Sequence, residues 1–111
     1  MHEMAVAARV VAHLAAFDEA VATGRWAAFV GRFTEDAVMS FPDLPVPEAR
    51  GRDAIHAAYV ANPPDDTMVA TGAVTDGDTD EVEVAWSRGG TGRMRITWEG
   101  DLVAALEVRS G

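Results

Sequence analysis

A chain of 111 residues, 49% of them apolar and with a mean hydropathy of +0.01, has room for one hydrophobic core and too little for two. That composition is neither disordered nor membrane-embedded. A net charge of −9 argues against nucleic acid, whose phosphates need a basic face, and against anionic lipid surfaces. The absence of cysteine removes disulfides, thiolate metal sites and a Cys nucleophile. All nine basic residues are arginine, which suits a GC-rich coding sequence and makes a bacterial cytoplasm the default location.

The apolar run MAVAARVVAHLAAF invites comparison with a secretory leader. Arg9 and His13 interrupt it and no basic stretch precedes it, so a helix is expected instead. Val6, Val10, Leu14, Phe17 and Val21 form one helical stripe, and Gly24 closes the helix. Trp26, Phe29, Val30 and Phe33 repeat the spacing on a shorter second helix. Ala37–Phe41 reads as a strand with Ala37, Met39 and Phe41 on one face, stopped by Pro42. The following LPVPEARGR is a loop whose prolines oppose regular pairing. Asp53 then opens a third helix bearing Ile55, Ala58 and Tyr59, which ends before Pro63 and Pro64.

Four strands follow, Thr67–Val74, Glu81–Ser87, Arg93–Trp98 and Leu102–Arg109, separated by turns rich in Gly and Asp. Val82, Val84 and Trp86 share a face with Met94, Ile96 and Trp98 and with Leu102, Ala104, Leu106 and Val108. Glu81, Glu83, Arg93, Arg95, Glu107 and Arg109 share the other. Apolar faces coincide only if paired positions sum to an even number, which needs turns of odd count (Gly89–Thr91, Glu99–Asp101) or a bulge. That register sets Arg93 opposite Glu107. Helices at one end of the chain and strands at the other give an α+β class, in one domain spanning 1–111.

The phrases RFTEDAVMSFP and GRDAIHAAY, in this element order, make the chain resemble the nuclear transport factor 2-like superfamily, nearest its SnoaL-like and ketosteroid-isomerase-like branch. The resemblance covers nearly the whole chain. It implies a cone-shaped barrel in which three helices pack on a strongly curved, mostly antiparallel sheet around an apolar pocket, and it implies a homodimer. Ketosteroid isomerases use an Asp base and an oxyanion hole made of a Tyr and a protonated Asp. By resemblance these roles would fall on Phe41, Phe17 and a place near Met94, all apolar here. Strands 82–108 offer no inward acid or histidine by parity.

The same resemblance directs attention to Phe17, Met39, Phe41, Tyr59, Trp86, Met94 and Trp98 as the lining of the cone. They form either a ligand pocket or a filled core. Tyr59, the one phenol, is the candidate to anchor a polar group of the ligand. Asp43 shares strand parity with Phe41 and is a candidate general base; its alternative is a solvated loop aspartate. His13 is the second catalytic candidate, able to reach into the cone or to border the stripe half-exposed. His2 is terminal, and no histidine pair has metal-ligand spacing. DGDTDE (76–81) lacks the Gly and Glu of a calcium loop, and GGTG (89–92) lacks the Lys and helix of a phosphate loop, so both read as turns. No metal and no cofactor is expected. The expected ligand is a small apolar molecule of polyketide or steroid type. Any catalysis would be a cofactor-independent isomerisation or cyclisation, and the alternative is a non-catalytic homodimeric module with a filled cone.

Overall fold

The computed structural model describes residues 7–110. Three helices, α1 (Ala8–Thr23), α2 (Trp26–Val30) and α3 (Arg52–Ala61), pack on one face of a curved, open, six-stranded sheet. The strands are β1 (Phe33–Ser40), β2 (Ala49–Arg50), β3 (Met68–Asp76), β4 (Thr79–Trp86), β5 (Thr91–Glu99) and β6 (Leu102–Ser110). Their order is β2-β1-β6-β5-β4-β3, with β1 and β6 parallel and the other neighbours antiparallel. Val6, placed on the first helical stripe, lies outside the described residues, as does His2.

The stripe on α1 is deeper than apolar residues alone suggest. Val10, His13, Leu14, Phe17 and Ala20 are all buried, an i, i+3, i+4, i+7 pattern in which His13 fills a core position. Gly24 ends the helix at φ 75°, where its N–H bonds the carbonyl of Ala20 at 2.7 Å. Phe33 does not extend α2. Gly31 and Arg32 turn the chain, and Phe33 opens β1 fully buried against Phe29. The strand stops at Ser40, so Phe41 stands just beyond it. Ala49 and Arg50, expected in an irregular loop, pair with Met39 and Val38 as a two-residue edge strand, because the last proline of that loop is already behind them.

Hairpin geometry explains the largest departure from the expected register. The β5–β6 turn holds two residues, Gly100 and Asp101, with Gly100 at φ 62°. Glu99 therefore faces Leu102, an odd sum, and Trp98 faces Val103. A bulge at Ala104 then restores even sums from Thr97↔Ala105 onward. In consequence Val103 is buried, Leu102 is exposed and Ala104 is half-buried, correcting the inward assignment of Leu102 and Ala104. It also sets Arg93 opposite Arg109, and Glu107 opposite Arg95. The β3–β4 hairpin repeats the device, turning on Gly77–Asp78 and shifting register between Ala70 and Gly72.

Between the sheet and the helices lies one core. Phe29, Phe33, Met39, Ile55, Met94 and Ile96 are its largest fully buried apolar side chains, each contributing about 1.5–3 kcal/mol by leaving water. Among the described residues no helix is long and apolar enough to cross a membrane.

Candidate functional site: an apolar cavity and its outer groove

Where the core is incompletely filled, a cavity of about 90 Å³ remains. His13 and Phe17 reach it from α1 and Tyr59 from α3, while Trp86, Met94, Leu106 and Val108 form its sheet wall. Phe41, Pro64 and Met68 complete its lining. Of the expected lining, Phe17, Phe41, Tyr59, Trp86 and Met94 meet here. Met39 lines a groove outside the cavity, and Trp98 lines neither.

His13 is the one ionisable imidazole of this cavity. It is 1% exposed, which corrects the half-exposed border position considered for it. The rings of Phe29, Phe33 and Trp98 surround it with centroids 5.2, 6.1 and 6.2 Å away, and its Nδ1 is buried without a hydrogen-bond partner. Burial, with a smaller push from the Arg32 guanidinium, lowers its pKa to about 4. The imidazole is therefore neutral near pH 7. A neutral imidazole carries one N–H donor and one acceptor, and can serve an uncharged ligand group without a counter-ion.

Tyr59 is fixed by stacking on Trp26, with centroids 4.5 Å apart and planes 2° from parallel. Burial pushes its phenol well up, so it remains protonated at any physiological pH. Tyr59, Phe41 and Pro64 also line the outer groove, of about 580 Å³, together with Met39, Leu44, Val46, Pro47, Ala49, Ala58 and Asn62. Leu44 and Val46 are exposed there, 56% and 48%.

Asp43 is not at the cavity. Its Oδ2 accepts bonds from the N–H and the Oγ–H of Ser110, both at 3.0 Å, and its Oδ1 lies 3.8 Å from Arg109 Nη1. Extension through Pro42, which would have aimed Asp43 inward, does not occur, because the chain turns there and Leu44 N–H bonds the Phe41 carbonyl.

Two carboxylates escaped the sequence reading. Asp80, at the start of β4, is fully buried; its even number, shared with Val82 and Val84, was the available signal, hidden by the turn-like composition of DGDTDE. Burial opposes its ionisation, yet donors from Arg9, Thr75 and Trp98 hold its pKa below the usual carboxylate range. With all three donors in place it is a structural anchor. Asp18, next to Phe17, is half-buried with an unpartnered Oδ1; burial raises its pKa against the lowering effect of the Met68 N–H. Among the described residues no cluster of His, Asp and Glu could hold a metal ion.

A family model described as the SnoaL-like domain matches residues 14–111. The chain belongs to the SnoaL-like family. No protein of curated function matches it in sequence. Its fold is that of nuclear transport factor 2-like proteins, as solved structures show. A SnoaL-like protein of unknown function from Burkholderia thailandensis superposes with a TM-score of 0.74 at 13% identity, over 96% of this chain and 98% of that one. A candidate ketosteroid isomerase from Kribbella flavida gives 0.72 at 18%, over 93% and 78%. The epoxide hydrolase/cyclase-like enzyme SalBIII, with a role in pyran ring formation in the polyether salinomycin, gives 0.71 at 18%, over 93% and 88%. At such identities the likeness is one of fold.

Proposed function

We propose that this SnoaL-like protein binds a small apolar compound, of polyketide or steroid character, at the cavity end of its cone. The observation that carries this reading is an apolar cavity holding one buried, neutral imidazole with an unpartnered nitrogen, and sharing three wall residues with an uncharged groove. Such a lining, mostly hydrophobic with few polar groups, is the common form of a small-molecule site. The names of its structural neighbours, an isomerase candidate and a cyclase-like enzyme among them, fit the same ligand class. If the bound compound is turned over, the reaction is a cofactor-independent isomerisation or cyclisation, and His13 is better placed than Asp43 to hold or move a proton.

A second reading has an observation of its own. The inner cavity, about 90 Å³, is smaller than the roughly 150 Å³ that accommodates benzene in an engineered core, which favours a filled, non-catalytic module. Thermal unfolding in the presence of neutral steroids and polycyclic aromatics separates the two. A rise in Tm with ligand concentration supports the pocket, because binding only the folded state stabilises it. No rise with any of them supports the filled module.

A further inference from the structure

The inner cavity and the outer groove share three wall residues, Phe41, Tyr59 and Pro64. These walls are not equally fixed. Tyr59 is stacked on Trp26 and set edge-on against Phe29 at 5.5 Å. The ring of Pro64 is part of the backbone. Phe41 has neither restraint: it stands past the last residue of β1, is half-buried, and makes no ring–ring contact among the described residues. Its ring also borders a third depression, of about 240 Å³, beside Trp86 and Val108. A move between staggered χ1 wells therefore has somewhere to put the ring.

Resting on the pocket reading above, we propose that Phe41 is the movable wall of a single channel formed by cavity and groove, and that this channel takes an elongated, uncharged, apolar molecule. Its leading end occupies the inner cavity beside His13, and its body lies in the groove. Size supports this. The cavity alone is too small for a ligand of several rings, whereas the groove, about 580 Å³, brings the joined space into the roughly 300–1,000 Å³ of ordinary ligand sites. Charge supports it too. In a chain of net charge −9 the groove is lined without a single charged residue, and its polar side-chain groups are the Asn62 amide and the Tyr59 hydroxyl. A charged peptide or an anionic headgroup would find no counter-charge there, while an apolar body loses no hydration it needs.

The neutral fluorescent probe N-phenyl-1-naphthylamine, two ring systems joined end to end, tests the channel by titration against the wild type, Phe41→Ala and Phe41→Trp. Removing the wall abolishes the fraction of closed molecules that weakens apparent affinity, so F41A binds at least fivefold more tightly. A larger ring in the wall weakens binding at least fivefold in F41W. A smaller change in either variant, with the wild type binding, overturns the channel and leaves the pocket reading standing. No binding by any of the three overturns both. Circular dichroism verifies folding; should F41A not fold, Phe41→Leu replaces it, with a gain of at least threefold required.

Discussion

Arg9 Nε donates to Asp80 Oδ2 across 2.7 Å, joining the first turn of α1 to the start of β4 over 71 residues of chain. The same Oδ2 receives Trp98 Nε1 at 2.8 Å, and the Arg9 guanidinium lies 5.4 Å from the centre of the Trp98 ring. Arg9 Nη2 further bonds the Gly77 carbonyl at the hairpin tip. Trp98 in turn meets His13 edge-on. The group that ties α1 to β4 is thus in contact with the imidazole at the cavity.

Arg9 and Asp80 should respond unequally to substitution. Arg9→Ala leaves a fully buried carboxylate without its cation and costs about 3 kcal/mol, the low end for a broken buried pair because Arg9 is itself 31% exposed. Asp80→Asn keeps an acceptor for Trp98 and lets Arg9 turn to water, costing about 1.5 kcal/mol. Urea unfolding at pH 7 should rank the two in that order. The wild-type carboxylate has a lowered folded pKa. Its stabilisation is present above the unfolded value and is lost as pH falls through the folded one, an acid loss that D80N should lack.

His13 titrates in a separate window. Its folded pKa of about 4 lies below the ordinary imidazole value of 6.5, so the unfolded chain binds the proton more readily. Stability conferred by the neutral imidazole is complete above about pH 6.5 and is lost as pH falls toward 4, by up to about 3 kcal/mol. His13→Leu suits the aromatic surroundings and removes the orphan nitrogen, so it should unfold within about 1 kcal/mol of wild type at pH 7.5. At pH 4.5 it should be the more stable protein by about 2.5 kcal/mol. An ordinary titration midpoint near 6.5 for the His13 imidazole by NMR would contradict the buried placement.

Strand parity carried the sheet face of the site. Val82, Val84, Met94, Ile96 and Leu106 point inward as alternation predicts, and Trp86 and Met94 line the cavity. Parity failed where the backbone changed the count. The two-residue turn at Gly100–Asp101 and the bulge at Ala104 turned Val103 inward, and neither leaves a mark in hydrophobic periodicity. Polar residues in the core were the other blind spot. His13 and Asp80 both sit at positions whose periodicity predicts burial, but their chemistry reads as surface unless partners far away in sequence are known. For Asp80 those partners include Arg9; for His13 they are Phe29, Phe33 and Trp98.

A homodimer through the outer sheet face is a proposal with its own test. That face carries the neighbouring rows Glu81–Arg95–Glu107 and Glu83–Arg93–Arg109, flanked by half-buried Thr97 and Ala105 on one side and by half-buried Ala85 on the other, while Val103 belongs to the core. Mixed charges flanked by small residues can complement a second copy under a two-fold axis. Sedimentation should give twice 11.8 kDa at micromolar concentration, and Thr97→Arg, which crowds the patch with like charge, should give the monomer. A wild type that sediments as 11.8 kDa would dismiss the interface.

Asp43 is expected to be a bystander to whatever the cavity does. Its carboxylate is committed to Ser110 and Arg109 at the end of β6, outside the cavity, and the places that resemblance would give to a ketosteroid isomerase's base and oxyanion donors fall on Phe41, Phe17 and near Met94. Proton abstraction beside a carbonyl needs a base within hydrogen-bond reach and a donor for the developing oxyanion, and none of those three side chains supplies either. The wild type should therefore show no turnover of a 5-ene-3-ketosteroid above background. Asp43→Asn should leave the affinity for an apolar probe within twofold, while hydrogen exchange at the end of β6 quickens as the anchor on Ser110 weakens. Turnover in the wild type that disappears in D43N would show instead that Asp43 swings inward during catalysis, and would return it to the role of base.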